Sequence, residues 1–338
     1  MIDLLVVGGG PAGLATAIHG VRAGLEVVVA ERRQGVIDKA CGEGLMPHTL
    51  RHLDRLGVHP HGKPIRGISY RDGSRHVDAQ FKHGAGRGVR RTVLHGALLD
   101  AAVEAGVQIC HHEVREITQD CDSVRAGRWQ ARYLAAADGL HSPIRRSLGL
   151  EQPSPGNRRW GISRHVQTEP WSDHVEVYWA PGAEAYVTPV ANDCVGIALL
   201  TSQRGGFGCR LAEFPALRDR IDGCAHEPDR AAGPLRQKVS HRTAGRVLLV
   251  GDAAGYVDAL TGEGLGLAFG AAEAAVDCVL AERPADYDRQ WRQLTRRYRM
   301  LTAALLQASA YGPARSRIVP AAAAMPAVFA GVVNLLAQ

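Results

Sequence analysis

Hydrophobic positions change their period along this chain, and each change marks an element. Leu4-Leu5-Val6-Val7 is an unbroken apolar run, as expected of a strand buried on both faces. It leads directly into Gly8-Gly9-Gly10-Pro11-Ala12-Gly13. Leu14, Ala17, Ile18 and Val21 then recur at the spacing of one helix face. Pro11 suits the first helical position, where its missing N–H needs no partner, and Gly24 closes the helix. A second apolar strand spans Glu26–Glu31. Further on, the pattern predicts helices over Thr49–Leu56 and Thr92–Ala105, the latter with Leu94, Leu98 and Ala101 on one face. Val107–Cys110 reads as a third parallel strand, Val114–Gln119 as the start of an antiparallel insertion, and Arg132–Ala137 as a strand ended by Asp138-Gly139.

From Gly161 to Leu200 the period shortens to two. Val175-Glu176-Val177-Tyr178, Ala185-Tyr186-Val187-Thr188 and Cys194–Leu200 predict a half-buried antiparallel sheet. An apolar strand returns at Val247–Val250, followed by Gly251-Asp252-Ala253-Ala254-Gly255 and an alanine-rich helix over Leu265–Leu280. Helices finish the chain. The expected fold is α/β: a Rossmann-like FAD-binding domain with an inserted antiparallel sheet as substrate domain and a helical C-terminus. Its cofactor-binding parts fall at 1–64, 92–158 and 241–283, the substrate sheet at 65–91 and 159–240, and the terminal helices at 284–338.

The first thirty residues carry the chemistry behind this expectation. Strand, Gly-x-Gly-x-x-Gly turn, helix and strand follow in register, the context that gives the glycine pattern its meaning. Gly8 allows the tight turn, Gly10 lets backbone N–H groups approach a pyrophosphate, and Gly13 lets helix and strand pack closely. The phosphates then lie at the positive end of a helix. Glu31 ends the second strand, where a carboxylate accepts both ribose hydroxyls and disfavours a 2′-phosphate. Downstream, Asp252 is placed to accept hydroxyls of a ribityl chain. The helix opening at Gly262-Glu263-Gly264-Leu265 points N–H groups at the ring edge that gains negative charge on reduction. The cofactor expected is non-covalent FAD.

Composition adds bounds. The chain has 338 residues, 46% of them hydrophobic, and a net charge of +6. Its arginines are scattered among acids, without the clustered basic and aromatic residues of a nucleic-acid surface. Seven cysteines show no C-x-x-C pair and no zinc spacing, and no signal peptide is apparent, so a reducing, cytoplasmic setting and no metal are expected. Tyr287, Trp291, Leu294, Tyr298 and Leu301 form an apolar stripe beside Arg289, Arg292, Arg296 and Arg299 that suits an anionic bilayer, so peripheral membrane contact is a further expectation. Ile318–Ala337 is long and apolar enough to span, but Pro320, Pro326 and Asn334 interrupt it. The alternative is a terminal helix pair that packs on the cofactor domain and lines a hydrophobic tunnel.

Gly8-x-Gly10-x-x-Gly13, Asp138-Gly139-x-x-Ser142-x-x-Arg145 and Gly251-Asp252 resemble the three ordered motifs of the class A flavoprotein monooxygenases, the p-hydroxybenzoate hydroxylase fold. Arg91-x-x-Leu94-x-x-x-Leu98 also resembles that family, which implies contact between Arg91 and the flavin side chain. Cys41-Gly42-Glu43-Gly44, and Leu260-Thr261-Gly262-Glu263-Gly264 after Gly251–Gly255, resemble instead the geranylgeranyl reductase relatives within the same superfamily. Asp258-Ala259 departs from the usual Asn/His-Pro before the helix. The cofactor-binding candidates are thus Gly8, Gly10, Pro11, Ala12, Gly13, Glu31, Arg32, Gly42, Arg91, Val114, Asp138, Asp252, Gly262, Gly264 and Leu265.

The function expected first is the one the hydroxylase resemblance implies: NAD(P)H as a visiting reductant and hydroxylation of an aromatic or polyketide-like substrate through a flavin C4a-hydroperoxide, with the reductase as the alternative. The reductase resemblance implies hydride delivery to an isoprenoid C=C bond. It also makes Cys41 the one catalytic candidate, against a reading of Cys41 as a small buried apolar residue. A non-catalytic flavin-binding or membrane-associated module is the third reading.

Overall fold

The protein is described from a computed structural model, which covers residues 1–73, 75–154 and 158–337. Its apolar runs build a parallel sheet in the order Gln108–His111, Val27–Glu31, Ile2–Val7, Trp129–Ala136, Val247–Leu249. The four pairings along that path are parallel. Thr243–Ala244 adds an antiparallel edge, and Val124–Ala126 with Ile117–Gln119 forms the antiparallel insertion expected beside Trp129–Ala136. The helix Pro11–Arg22 packs between this sheet and the helices Arg91–Glu104 and Gly264–Leu280. Leu4, Leu5, Val6, Leu14, Ile18, Val247–Val250 and Phe269 meet in one core, so the first and last thirds of the chain fold as a unit.

The second sheet departs from expectation in two ways. Its order is Arg230–Ala232, Trp160–Gln167, Cys194–Thr201, Ala183–Ala191, His174–Ala180, Gly67–Asp72, Arg75–Gln80. The early strand Gly67–Asp72 pairs in parallel with His174–Ala180, so the sheet is mixed rather than purely antiparallel. Nor is it half-buried: all eight residues of Cys194–Thr201 are buried. One face, through Ala185, Val187, Ile197 and Leu199, is covered by the short helices Phe207–Leu211 and Pro215–Ile221. The other, through Val175, Val177, Trp179 and Leu200, turns toward Leu260 and the terminal helix residue Val319. An alternating pattern reports a change of face; it does not say that one face is wet.

The C-terminal stripe also differs from its bilayer reading. Tyr287, Trp291 and Tyr298 on the helix Asp286–Ala310 are buried against the body. The Arg242 guanidinium lies 4.0 Å from the Trp291 ring centre, and the Tyr298 hydroxyl donates to the Asp258 carbonyl at 2.6 Å. These three rings are therefore spent on packing, while Leu294 of the same stripe is exposed. The apolar segment beyond it is broken into Ile318–Ala324 and Pro326–Leu336, and the chain bends by 103° there. Pro326 removes a helical N–H and disfavours helix at Met325, which accounts for the break. Among the described residues no single helix is long and apolar enough to cross a membrane. Phe329 and Val333 instead pack on Val77 and Ala79 at the edge of the second sheet.

Candidate functional site

The two glycine motifs meet. A Cβ on Gly251 would lie 2.7 Å from the Ala12 side chain, so the strand ending at Leu249 delivers its loop against the start of the first helix. Gly251 has φ +63°, a left-handed conformation that glycine adopts without strain. Gly13 serves the helix–strand contact: a Cβ there would sit 1.8 Å from the Gly8 carbonyl oxygen. Gly10 has only open space around it, on the side of a cavity of about 1200 Å³. Of the expected cofactor residues, Gly8, Gly10, Pro11, Ala12, Glu31, Arg32, Gly42, Arg91, Val114, Asp138, Asp252, Gly262, Gly264 and Leu265 all line that cavity. Gly13 does not, consistent with its packing role.

Side chains hold this geometry. The buried His95 ring contacts the Gly9 carbonyl through Nε2 at 2.8 Å, and its Nδ1 accepts the Ile37 N–H at 3.2 Å. These bonds assign the proton to Nε2. Burial depresses the His95 pKa, which keeps the ring in that neutral form. Glu31 accepts the N–H of Gly9 at 2.7 Å and that of Arg33 at 2.9 Å. Burial pushes its pKa up, but those two N–H groups and the Arg33 guanidinium outweigh it, and the carboxylate stays ionised below its ordinary range. Ser142 caps the helix turn at Arg145, and the fully buried Arg145 donates to the carbonyls of Leu140 and Ala253 at 3.0 and 3.2 Å. Arg145 therefore ties the Asp138-Gly139 turn to the Gly251-Asp252 turn.

Around the cavity wall, charge is buried. Asp252 is pushed up by burial, against Lys39, Arg91 and Arg145, which pull it down. The Arg91 side chain is buried with Nε unpartnered, while its backbone N–H donates to Glu43 at 2.7 Å. Cys41 borders the cavity, with the Glu43 N–H 3.3 Å from its sulfur. Burial raises the thiol pKa, so the sulfur keeps its proton at neutral pH. The sequence did not single out Glu43, which has φ +61° and accepts from His165 Nε2 at 2.8 Å; His165 in turn contacts Glu227 through Nδ1 at 3.1 Å. A left-handed glutamate between two glycines carries no periodic signal. Asp258, flagged for departing from the usual pattern, is held by Arg159 at 3.0 Å, and Arg159 also bonds Glu184 at 2.5 Å.

Residues 1–204 match the FAD binding domain family. The chain belongs to this family. The structure accommodates the cofactor: Gly10 opens onto space, and the buried Arg91 Nε has no partner of its own. The flavoprotein is similar to menaquinone reductase of Mycolicibacterium smegmatis, 28% identical over 86% of this chain and 80% of that protein. It is also similar to digeranylgeranylglycerophospholipid reductase 1 of Methanopyrus kandleri, 31% identical over 79% of this chain and 77% of that protein. Para-nitrophenol 4-monooxygenase of Pseudomonas sp. is 28% identical over 78% of this chain and 73% of that protein. In fold it resembles the flavin-dependent brominase Bmp2, with a TM-score of 0.79, 16% identity, and 99% and 93% of the two chains covered. The protein is an FAD-dependent oxidoreductase.

Proposed function

We propose that this oxidoreductase saturates isolated C=C bonds in a long isoprenoid or prenylated substrate. The observation that carries the reading is the lining of the cavity. From Cys41 and Gly42 it continues past Ile68, Tyr70, Val177 and Leu200 to Leu305, Val328, Phe329 and Val332 of the terminal helices. A wall this long and apolar suits a chain more than a single ring. The two reductase relatives support the same class of substrate.

Gly8, Gly10, Pro11, Ala12 and Glu31 would hold the nucleotide end of FAD, with Arg32 at the rim and Val114 beside it. Arg91 and Asp252 would hold the ribityl chain, and Gly42, Gly262, Gly264 and Leu265 the ring end, with Asp138 closing the wall between the two. When bound, FAD would supply the hydride, with NAD(P)H as the visiting reductant. The chain supplies a dry wall, substrate orientation and a proton. We assign the proton to the Cys41 thiol, which holds it through neutral pH because burial disfavours the thiolate. Hydride and proton together add two hydrogens across the bond.

Hydroxylation of an aromatic or polyketide-like ring is the second reading. It is favoured by the nitrophenol monooxygenase relative, and it needs oxygen where the first does not. The test is Cys41→Ala, assayed with and without oxygen. The reductase reading expects normal FAD content, oxygen-independent turnover in the wild type, and a loss of roughly 100-fold or more in the variant, the scale of a missing general acid. Turnover that requires oxygen and survives the substitution would overturn it.

A further inference from the structure

A second cavity, of about 340 Å³, lies behind the Gly251-Asp252 turn. Gly251, Asp252, Tyr256, Gly264 and Ala268 line both cavities, so the two share a wall. Their charge differs. The main cavity mixes acids and bases, whereas the second is lined by Arg236, Lys238, Arg242 and Arg299 against one acid, Asp252. Arg242 alone among these four has a carboxylate partner, Asp288 at 3.4 Å. Among the described residues Arg236, Lys238 and Arg299 form no salt bridge, although surface arginines elsewhere in this chain commonly do.

Backbone hydrogen bonds anchor the segment that carries two of these cations. Gln237 exchanges two backbone hydrogen bonds with Tyr256, N to O at 2.8 and 3.1 Å, and its side chain accepts from the buried Arg145 at 2.8 Å. Arg236 and Lys238 flank that anchored residue, and Lys238 pairs with Gln152 in a short antiparallel strip. On the opposite side the Trp291 ring carries Arg242 at 4.0 Å and Arg299 at 5.5 Å. Burial holds the Arg242 guanidinium below its ordinary range; Asp288 opposes this, and Arg299 and Arg292 add to it. Three cations without a carboxylate partner among the described residues, gathered with Arg242 around one cavity, suit an anion with several acceptor oxygens.

We propose that this second cavity is a phosphate site, taking a phosphate monoester or diester with the sugar or glycerol attached to it. Two ligands carry that group to this enzyme class: the reductant nicotinamide dinucleotide and a phospholipid substrate. The site goes beyond the proposed reaction, because it predicts binding whichever bond the enzyme reduces.

The experiment uses the FAD-loaded full chain, in which the first pyrophosphate site is already filled. Inorganic pyrophosphate is titrated calorimetrically into wild type, into an Arg236→Glu/Lys238→Glu variant and into Arg299→Ala. The substituted side chains are exposed and lie outside the FAD-facing wall, so the flavin spectrum should be unchanged in each. Saturable binding to wild type that weakens with added salt, and by roughly tenfold or more in the double variant, is the expected result. Parallel titrations with NADPH and with a short-chain phosphatidic acid name the source: the ligand whose affinity falls with that of pyrophosphate is the natural occupant. Absence of saturable pyrophosphate binding, or equal binding by wild type and the charge-reversed variant, would overturn the proposal.

Discussion

Gly10→Ala separates the folding role of the glycine turn from its binding role. Gly10 sits at φ −71° and ψ 176°, a conformation alanine adopts freely, and its added methyl would meet nothing within 4 Å. Alanine is poorer than glycine at this capping position, by roughly 0.5–1 kcal/mol, and restricts the unfolded chain by about 0.4–1 kcal/mol. These oppose each other, so the flavin-free protein should keep its stability to within about 0.5 kcal/mol, or roughly 1–2 °C in melting temperature. The methyl does occupy the space through which a pyrophosphate reaches the backbone N–H groups. Losing one or more charge-assisted hydrogen bonds, at about 1.5–3 kcal/mol each, weakens FAD by roughly 10- to 150-fold.

Gly13→Ala should behave differently. Its Cβ would meet the Gly8 carbonyl at 1.8 Å, so helix and turn must part, at a cost of about 1–3 kcal/mol or more in the flavin-free protein itself. The assay is paired: thermal melting without cofactor, and FAD titration by quenching of flavin fluorescence. If Gly10→Ala melts as early as Gly13→Ala, or binds FAD as tightly as wild type, the assignment of Gly10 to the phosphates is wrong.

Two further outcomes follow from the structure. His48, held near pKa 4 by burial and by the neighbouring His52, regains the ordinary value of 6.5 on unfolding. The unfolded chain then binds its proton first, so stability is full above pH 6.5 and declines as pH falls toward 4; between pH 7 and 5 the loss from this group is on the order of 1–2 kcal/mol. Urea melts across that range should show a shallower decline for His48→Gln, and an identical decline would refute the role of this side chain. The terminal helix leaves Met325, Val328, Val332 and Leu335 exposed beside the far end of the apolar cavity. These residues, rather than the Tyr287–Leu301 stripe, would carry any peripheral membrane contact. A Val328→Asp/Val332→Asp variant should lose flotation with anionic vesicles while keeping its FAD; equal flotation would argue against this surface.

The cofactor half of the fold was legible because its determinants are local. A buried parallel strand, a glycine turn and an amphipathic helix each leave a pattern within about ten residues, and Glu31 and Asp252 sit at strand ends that the pattern locates. Arg145 was visible only as part of a motif; its work, bonding a turn 107 positions further along the chain, needed the fold to become apparent. The substrate half was poorly legible. Alternation predicted strands over Gly161–Leu200, but neither the parallel entry of Gly67–Asp72 nor the double-sided burial of Cys194–Thr201 leaves a local signal. The Glu43–His165–Glu227 chain links residues up to 184 positions apart and was invisible for the same reason. The C-terminal stripe was read as amphipathic; that its Tyr287, Trp291 and Tyr298 pack on the body while Leu294 stays exposed was not legible, since an apolar face does not say what covers it.

The most direct test is a single turnover without oxygen. The FAD-loaded protein is reduced chemically, mixed with a geranylgeranyl phospholipid in detergent, and followed by flavin absorbance and product mass. The flavin should reoxidise anaerobically, and each saturated bond should gain two hydrogens. A flavin that stays reduced until oxygen is admitted, with a product that carries an added oxygen atom, would contradict the proposed reduction.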